Sequence, residues 1–509
     1  MQQSSRFLAQ ATNGPTKQEI AQLAGSDIDT WLTGQFAMLR EQGHWSWMKA
    51  RGFDEDQANA NPKAGNKSVA GWDRSIWRQL ITAPDQLRQR VGLALLDIMV
   101  VSVDALDMRW PQFAMAAYMD QLLDHAFGNF RALLGAVTTS SAMGQFLTVL
   151  GSRKANGKGS LPDENYAREM LQLFTLGLYE LNQDGTLKAG PGGLPIETYT
   201  QDDISQLAQV FTGFELASSD LQTPDPLREP LVINPDRNET GTASFLGWTV
   251  SGGGMAAVDA ALDVVFNHPN VPPFVSKALI QRLVTSNPSP GYVERVANTF
   301  ADNGAGERGD LRAVVYAILV DPEARSDLAL AAPHAGKLRD PVQRMTHWAR
   351  AFSVTSKSGG WYVGNMSARL GQAPGRSPSV FNFFRPGYVP PNSELAMRGL
   401  VAPEFQIINE QSIVSYINAM QLMIKKGIDN GHGDMVPDYS PLLEIAADSQ
   451  RLTEEVNLVL AAGQLSATSL SLIRAAVESF DSKPGNGADN RVRTAIMLTM
   501  ASPEYLVLK

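Results

Sequence analysis

The chain has 509 residues, 44% of them apolar, enough for a packed core in one large or two to three ordinary domains. A net charge of -9 and a pI near 5.3 supply no basic field for a nucleic-acid backbone or an anionic lipid surface, so nucleic acid is not expected as a partner. With no cysteine, disulfides and thiolate metal sites are excluded.

The opening MQQSSRFLAQ lacks the basic and apolar regions of a signal peptide. From Thr16 to Arg40 and from Trp72 to Leu106, apolar residues recur at helical spacing, which predicts a helical bundle divided by a loop from Asp54 to Ser68. Within the second run, Val91 to Leu106 is interrupted by Asp97, Ser102 and Asp104 and is too short to span a membrane; it predicts a buried helix. The aromatics of HWSWMKARGF, around His44, are expected to anchor a loop. GSRKANGKGS, Gly151 to Ser160, superficially resembles a phosphate-cradling loop, but its spacing is wrong and it reads as a mobile basic loop.

The densest signals lie between Ser160 and Thr186. Ser160, Pro162 and Asp163 predict a helix starting near Leu161. Projected at about 100° per residue, Tyr166, Ala167, Met170, Leu171, Leu173 and Phe174 form its apolar arc. Glu164 and Arg168 are four apart, acid first, and predict a surface ion pair. Glu169 falls at the margin of the apolar arc with no cation at facing positions of its own helix. A carboxylate so placed either pairs with a cation from elsewhere in the fold or has a raised pKa and does proton chemistry.

Asn182, Asp184 and Gly185 make a turn, and Thr200 or Asp202 caps a helix carrying Ile204, Leu207, Ala208 and Phe211 inward. Asp203 reads either as a first-turn acid stabilising the helix dipole or as a second carboxylate to Glu169. Helical periodicity fails from Ala217 to Gly254, where short runs among Asp, Asn, Gly and Pro predict a small irregular or hairpin insertion. It returns from Ala256. His268, before Pro269, reads as a helix-terminal histidine, and no His-Glu-x-x-His pattern supports a zinc hydrolase. RAVVYAILVDPE and RTAIMLTMASPE, starting at Arg312 and Arg493, echo one another as a helix followed by a Pro-Glu stop. Ser377 to Pro391, SPSVFNFFRPGYVPP, carries Phe381, Phe383, Phe384 and Tyr388 on a proline-stiffened loop with Asn382 and Arg385. It serves equally as a binding wall or as a lid over the core. DNGHGD, from Asp429, has oxygen ligands without the calcium-loop spacing.

NYAREMLQLFTLGLYELNQDGT followed by YTQDDISQLAQVFTGF resembles the signature of the bacterial domain-of-unknown-function 1800 family. RFLAQATNGPT, PDQLRQRVGLALLDIMVVS, HAFGNFRALLGAV, PSVFNFFRPGYVPP and SPEYLVLK fall in that family's order, so the resemblance covers nearly the whole chain. It implies a mostly helical, exported bacterial protein, periplasmic or secreted, often encoded beside a sulfatase-like partner family, and it brings no established activity and no known cofactor. On that basis the full-length product is expected to carry a cleavable export segment. Asp203 matches an acid of the family pattern. Asn238 to Gly241 stand where relatives commonly show a histidine, and Asn13 where they usually place an aromatic.

The expected fold is all-α: an N-terminal helical part over residues 1–216, an irregular insertion over 217–255 and a C-terminal helical part over 256–509, with the two helical parts packed as one unit. Two functions fit. One is a hydrolase of an extracellular glycan, with Glu169 as acid or base, Asp203 or Glu180 as second carboxylate, Asn165 and Arg168 as positioning groups, and Phe381, Asn382, Phe384 and Arg385 as a sugar platform; no metal is called for. The other is a non-enzymatic scaffold for a sulfatase-like partner. In either case the 377–391 loop is expected to lie over the Glu169 helix and wall a shared cleft.

Overall fold

Helices with one apolar face must bury that face against a neighbour, and here the faces converge on one continuous core whose members run in sequence from Phe7 to Tyr505. The structure is a computed structural model describing residues 1–55, 67–157, 159–364, 369–428 and 434–509. Most of the expected Asp54–Ser68 loop, Lys158 of the basic loop and residues 429–433 of the DNGHGD run lie outside the described residues. The fold is all-α, and the strands among the described residues form only four two-stranded antiparallel pairs. No helix among them is long and apolar enough to cross a membrane.

Local chemistry sets many of the boundaries. Thr16 and Glu19 form a reciprocal capping box at the start of Lys17–Ala24, and Thr200 and Asp203 form another at the start of Gln201–Val210. The expected insertion contains a short hairpin, Thr242–Phe245 paired with Trp248–Ser251. Asn238 is buried there; its side-chain amide donates to the Thr212 carbonyl at 2.8 Å and its side-chain oxygen accepts from the Gly254 amide at 2.7 Å, so it clamps the insertion to the next helix.

Three expectations are corrected. Val91 to Leu106 is not one helix: helix Gln86–Ile98 stops, and after a non-helical stretch Val103–Ala105 makes one 3-10 turn. The backbone there has partners elsewhere, since Tyr118 donates to the Met99 carbonyl at 2.6 Å and the Val103 amide donates to Gly375 at 2.9 Å. His44–Ala50 is a short helix rather than a loop, with Trp45 packed edge-on against Phe113 and Trp47 stacked on Phe53. The helix expected from Leu161, here called the organising helix, begins at Asn165, and Leu161 is 78% exposed. Ser160 is engaged with Asn156, and Asp163 accepts from the Asn165 amide at 2.9 Å in its place.

The internal echo has a structural counterpart. Pro322 and Pro503 each open a one-turn helix directly after the long one. The glutamate that follows each proline then binds the N-cap serine of a second long helix: Glu323 accepts from the Ser289 amide at 2.9 Å, and Glu504 from the Ser466 amide at 3.1 Å. The proline turns the chain and the glutamate ties the turned end to its neighbour.

Deeper in the fold, helix Gln86–Ile98 packs against Val271–Leu283, and the C-terminal ends of the two meet, with Arg282 and Asp97 3.9 Å apart.

Candidate functional site

Helix Asn165–Glu169 is only one turn long before it widens into a π-helical segment, Met170–Thr175. The wider turn is visible in its bonding: the Thr175 hydroxyl donates to the Met170 carbonyl at 2.6 Å, and the Leu176 amide to Leu171 at 2.9 Å. Tyr166, Ala167, Met170, Leu171 and Phe174 of the expected arc are buried, whereas Leu173 is turned to the edge of the core beside Gln172. Single π turns interrupt α-helices at functional sites more often than elsewhere.

Gln172 and Leu173 line a cleft of about 860 Å³. Its second wall is one face of helix Val271–Leu283, presenting Phe274, Lys277, Ala278, Gln281 and Arg282 at the spacing of a single helical stripe. Leu176 to Tyr179, Leu181 and Leu187 close one side, while Val380, Phe381, Pro386 and Gly387 and the segment from Gly399 to Glu404 close the other. The 377–391 loop and the π-helical continuation of the organising helix border one cleft, but Glu169 itself is not among the residues that line it.

Two asparagines, Asn270 buried and Asn287 half-buried, hold these walls. Asn270, at the N-terminus of the stripe helix, donates to the Leu176 and Tyr179 carbonyls at 2.8 and 2.9 Å and accepts from the Leu181 amide at 2.7 Å. Asn287 exchanges both amide bonds with Val401, each at 2.9 Å. Gly177 has φ +75, and a Cβ there would meet the Phe274 ring at 2.6 Å, so the wall needs glycine at that point.

The deep end of the cleft is ionic. Asp97 accepts from the side-chain amide of Asn382 at 2.7 Å and faces Arg282, whose guanidinium lies 4.8 Å from the centre of the Phe384 ring. Burial nevertheless raises the Asp97 pKa against the opposing pull of Arg282. Glu404 pairs with Lys337 at 3.0 Å, both side chains 2% exposed, and Lys337 also donates to the Arg282 carbonyl. The second carboxylate oxygen of Glu404 has no hydrogen-bond partner among the described residues.

Glu169 is 7% exposed and one of its oxygens is buried without a partner. No cation among the described residues forms an ion pair with it; Arg168 is paired with Glu164 at 2.9 Å instead, as its spacing predicts. Burial raises the Glu169 pKa, and Arg168 only partly opposes this. Its electrostatic neighbour is Tyr199, whose buried hydroxyl also lacks a partner and whose pKa is pushed up to about 12, first by burial and then by the Glu169 charge.

The remaining candidates are spread around this framework. Asp203 accepts from the Thr200 amide and hydroxyl at 2.7 Å and from the Leu246 amide at 2.7 Å, and these bonds hold its pKa down against burial. Gln201 and Ser205 of the same helix turn to Glu164, which places Asp203 on the opposite side. Of Asp203 and Glu169, neither carboxylate is among the groups that shift the pKa of the other. Glu180 is paired with Lys188 at 3.2 Å. Asn165 reaches the Thr148 hydroxyl at 3.5 Å, and Arg168 reaches Gln201, both away from the cleft. Of the aromatic-loop residues, Phe381 lines the cleft with Arg385 over its ring, whereas Asn382 and Phe384 are buried behind the wall. His268 ends helix Gly254–Asn267 and accepts from the Asn270 amide at 3.1 Å, and burial lowers its pKa. Among the described residues no group of three His, Asp or Glu is arranged to hold a metal ion.

Sequence reasoning missed Lys277, Arg282, Lys337 and Glu404. The one available signal was Asp97, an acid near the end of a helix that is otherwise buried along most of its length.

No curated protein and no solved structure matches the chain. The family model described as a protein of unknown function, DUF1800, matches residues 6–507, and the chain belongs to that family.

Proposed function

We propose that this protein acts by binding, and that its cleft receives the apolar chain of an elongated small ligand. The carrying observation is the cleft itself: about 860 Å³, walled mainly by Ile98, Leu173, Leu176, Phe274, Phe381 and Val401. That volume lies within the range of small-ligand pockets, and a surface that is mostly apolar, with its charged groups gathered at particular points, suits a hydrocarbon better than a sugar, which needs hydrogen-bonding partners along its length. Leu178 and Leu187, 50% and 53% exposed, extend the apolar surface at its border. Export, and association with a sulfatase-like partner, rest on the family resemblance alone.

The test fills the cleft. Ala278→Trp places a large side chain on the stripe, and calorimetric titration of the full chain with eight-carbon amphiphiles should show binding in the wild type and its loss in the variant, with an unchanged melting curve. Wild-type protein that binds none of them removes the reading.

A second reading keeps Glu169 in a chemical role. Its support is a buried carboxyl with raised pKa beside a phenol, the direction of shift that a general acid requires. Glycan cleavage then requires a second carboxylate, and both Asp203 and Glu180 have structural partners. A screen of polysaccharides and sulfated glycans with Glu169→Gln as control decides it: turnover abolished by that change supports hydrolysis, and no turnover in the wild type ends it.

A further inference from the structure

The cleft contains a cation that no side chain among the described residues pairs with. Lys277 is half-buried on the stripe helix, and no hydrogen bond or ion pair engages its ammonium among the described residues. Its aliphatic stem runs past Gly185, and among the described residues the carboxylate whose charge acts on it is Asp184, which accepts from the Thr186 amide and hydroxyl at 2.9 and 2.6 Å. Burial lowers the Lys277 pKa, so the ammonium is held at a cost that a nearby anion would offset.

The other charges of the cleft are arranged differently. Asp97 and Glu404 line it, but Asp97 has Asn382 and Arg282, and Glu404 has Lys337. Arg282 has only a loose 3.9 Å contact to Asp97 and the Phe384 ring, and its side chain makes no hydrogen bond among the described residues. Gln172, on the facing wall, likewise has a side-chain amide without a partner there. Lys277 and Arg282 are five residues apart, about 7.5 Å along the helix. Two cations with donors to spare, set in apolar walls, complement one anionic group on a hydrocarbon.

We propose that the ligand is an anionic amphiphile, whose head is held by the Lys277 ammonium with Arg282 and Gln172 in support, and whose chain lies against Leu173, Leu176, Phe274 and Phe381. This rests on the binding role of the cleft and narrows it to a ligand class. The head chemistry is an oxyanion, carboxylate or phosphate. Charge complementarity makes the choice, since a cationic head would meet an unpaired ammonium in a medium of low polarity.

The experiment titrates the full chain with octanoate, octyl phosphate, octanol and octyltrimethylammonium, and repeats the series with Lys277→Met and Lys277→Arg. The expected result is that an anion binds at least tenfold more tightly than octanol and that the cation does not bind. Lys277→Met should remove that preference while leaving octanol binding and the melting curve unchanged, and Lys277→Arg should restore it. Whichever of octanoate and octyl phosphate binds more tightly identifies the head. Octanol binding as tightly as both anions, or an anion preference that survives Lys277→Met, overturns the anionic head while the cleft keeps its ligand-binding role. If none of the four binds, both fail.

Discussion

Two buried acidic sites stand on either side of the π-helical segment, and the fold treats them in opposite ways. At the deep end of the cleft, Glu404 and Lys337 are both 2% exposed and 3.0 Å apart, with Asp97, Asn382 and Arg282 beside them. At Glu169 the carboxylate is 7% exposed, Arg168 is engaged with Glu164, and the Tyr199 phenol on which the Glu169 charge acts also lacks a partner among the described residues. Taking a charge out of water is costly unless an opposite charge and hydrogen bonds replace the water. The first site offsets most of that cost with an ion pair and hydrogen bonds drawn from distant parts of the chain, although burial still raises the Asp97 pKa. The second leaves it in place, and a carboxyl in that condition holds its proton to higher pH. Burial alone is thus a poor guide to role, and it is the partners that separate a structural acid from a reactive one.

The largest expected effect strands a partner at the first site. Lys337→Met leaves Glu404 buried without its cation and should lower unfolding free energy by about 3–5 kcal/mol, read by denaturant titration. Adding Glu404→Leu should recover much of that loss, and a single variant as stable as wild type would break the contrast. Next comes the wall between the two sites. Asn270→Ala removes three hydrogen bonds to the Leu176–Leu181 segment and should cost about 2–3 kcal/mol, with faster amide exchange in that segment as the local signature.

Glu169→Gln should act in the other direction, raising stability by about 1–2 kcal/mol at pH 8 by removing an unpaired buried charge. The sign follows from linkage. A raised native pKa means that the folded state binds the proton more tightly than the unfolded state, so wild-type stability falls as pH rises from the ordinary carboxyl value through the raised one. The advantage of the variant should therefore shrink toward acid and vanish below the ordinary carboxyl pKa; melting curves from pH 4 to 8 test this. A gap independent of pH would mean that Glu169 is not the titrating group. The smallest effect belongs to Arg168→Ala, which breaks a partly exposed pair with Glu164 and should cost under about 1 kcal/mol, less at high salt.

How much of the molecule is legible in the chain depends on the range of each interaction. Thr16 with Glu19 and Glu164 with Arg168 lie three or four residues apart, and the backbone geometry that joins them is fixed by the helix they start or decorate. Asp203 matched its first-turn capping role for the same reason. The start of the organising helix did not, because Asp163 supplied the bond that Ser160 was expected to make. Glu169 was singled out by its place on the apolar margin and by the lack of a cation on its own helix, both local facts. Its missing partner is a tertiary fact, since any of the chain's 43 lysines and arginines was available in principle.

The sequence by itself determined the family, the helical class, the hairpin insertion and the acidic, cysteine-free character of the molecule, because composition, 3.6-residue periodicity and caps act within one or two turns. Tertiary structure alone decided the π-helical widening that turns Gln172 and Leu173 to the cleft, the convergence of Asp97, Arg282, Lys337 and Glu404, and the placing of Lys277 on the cleft wall without an ion-pair partner among the described residues. Each depends on which distant side chain fills the space beside a residue, and that is settled by packing, not by neighbours along the chain.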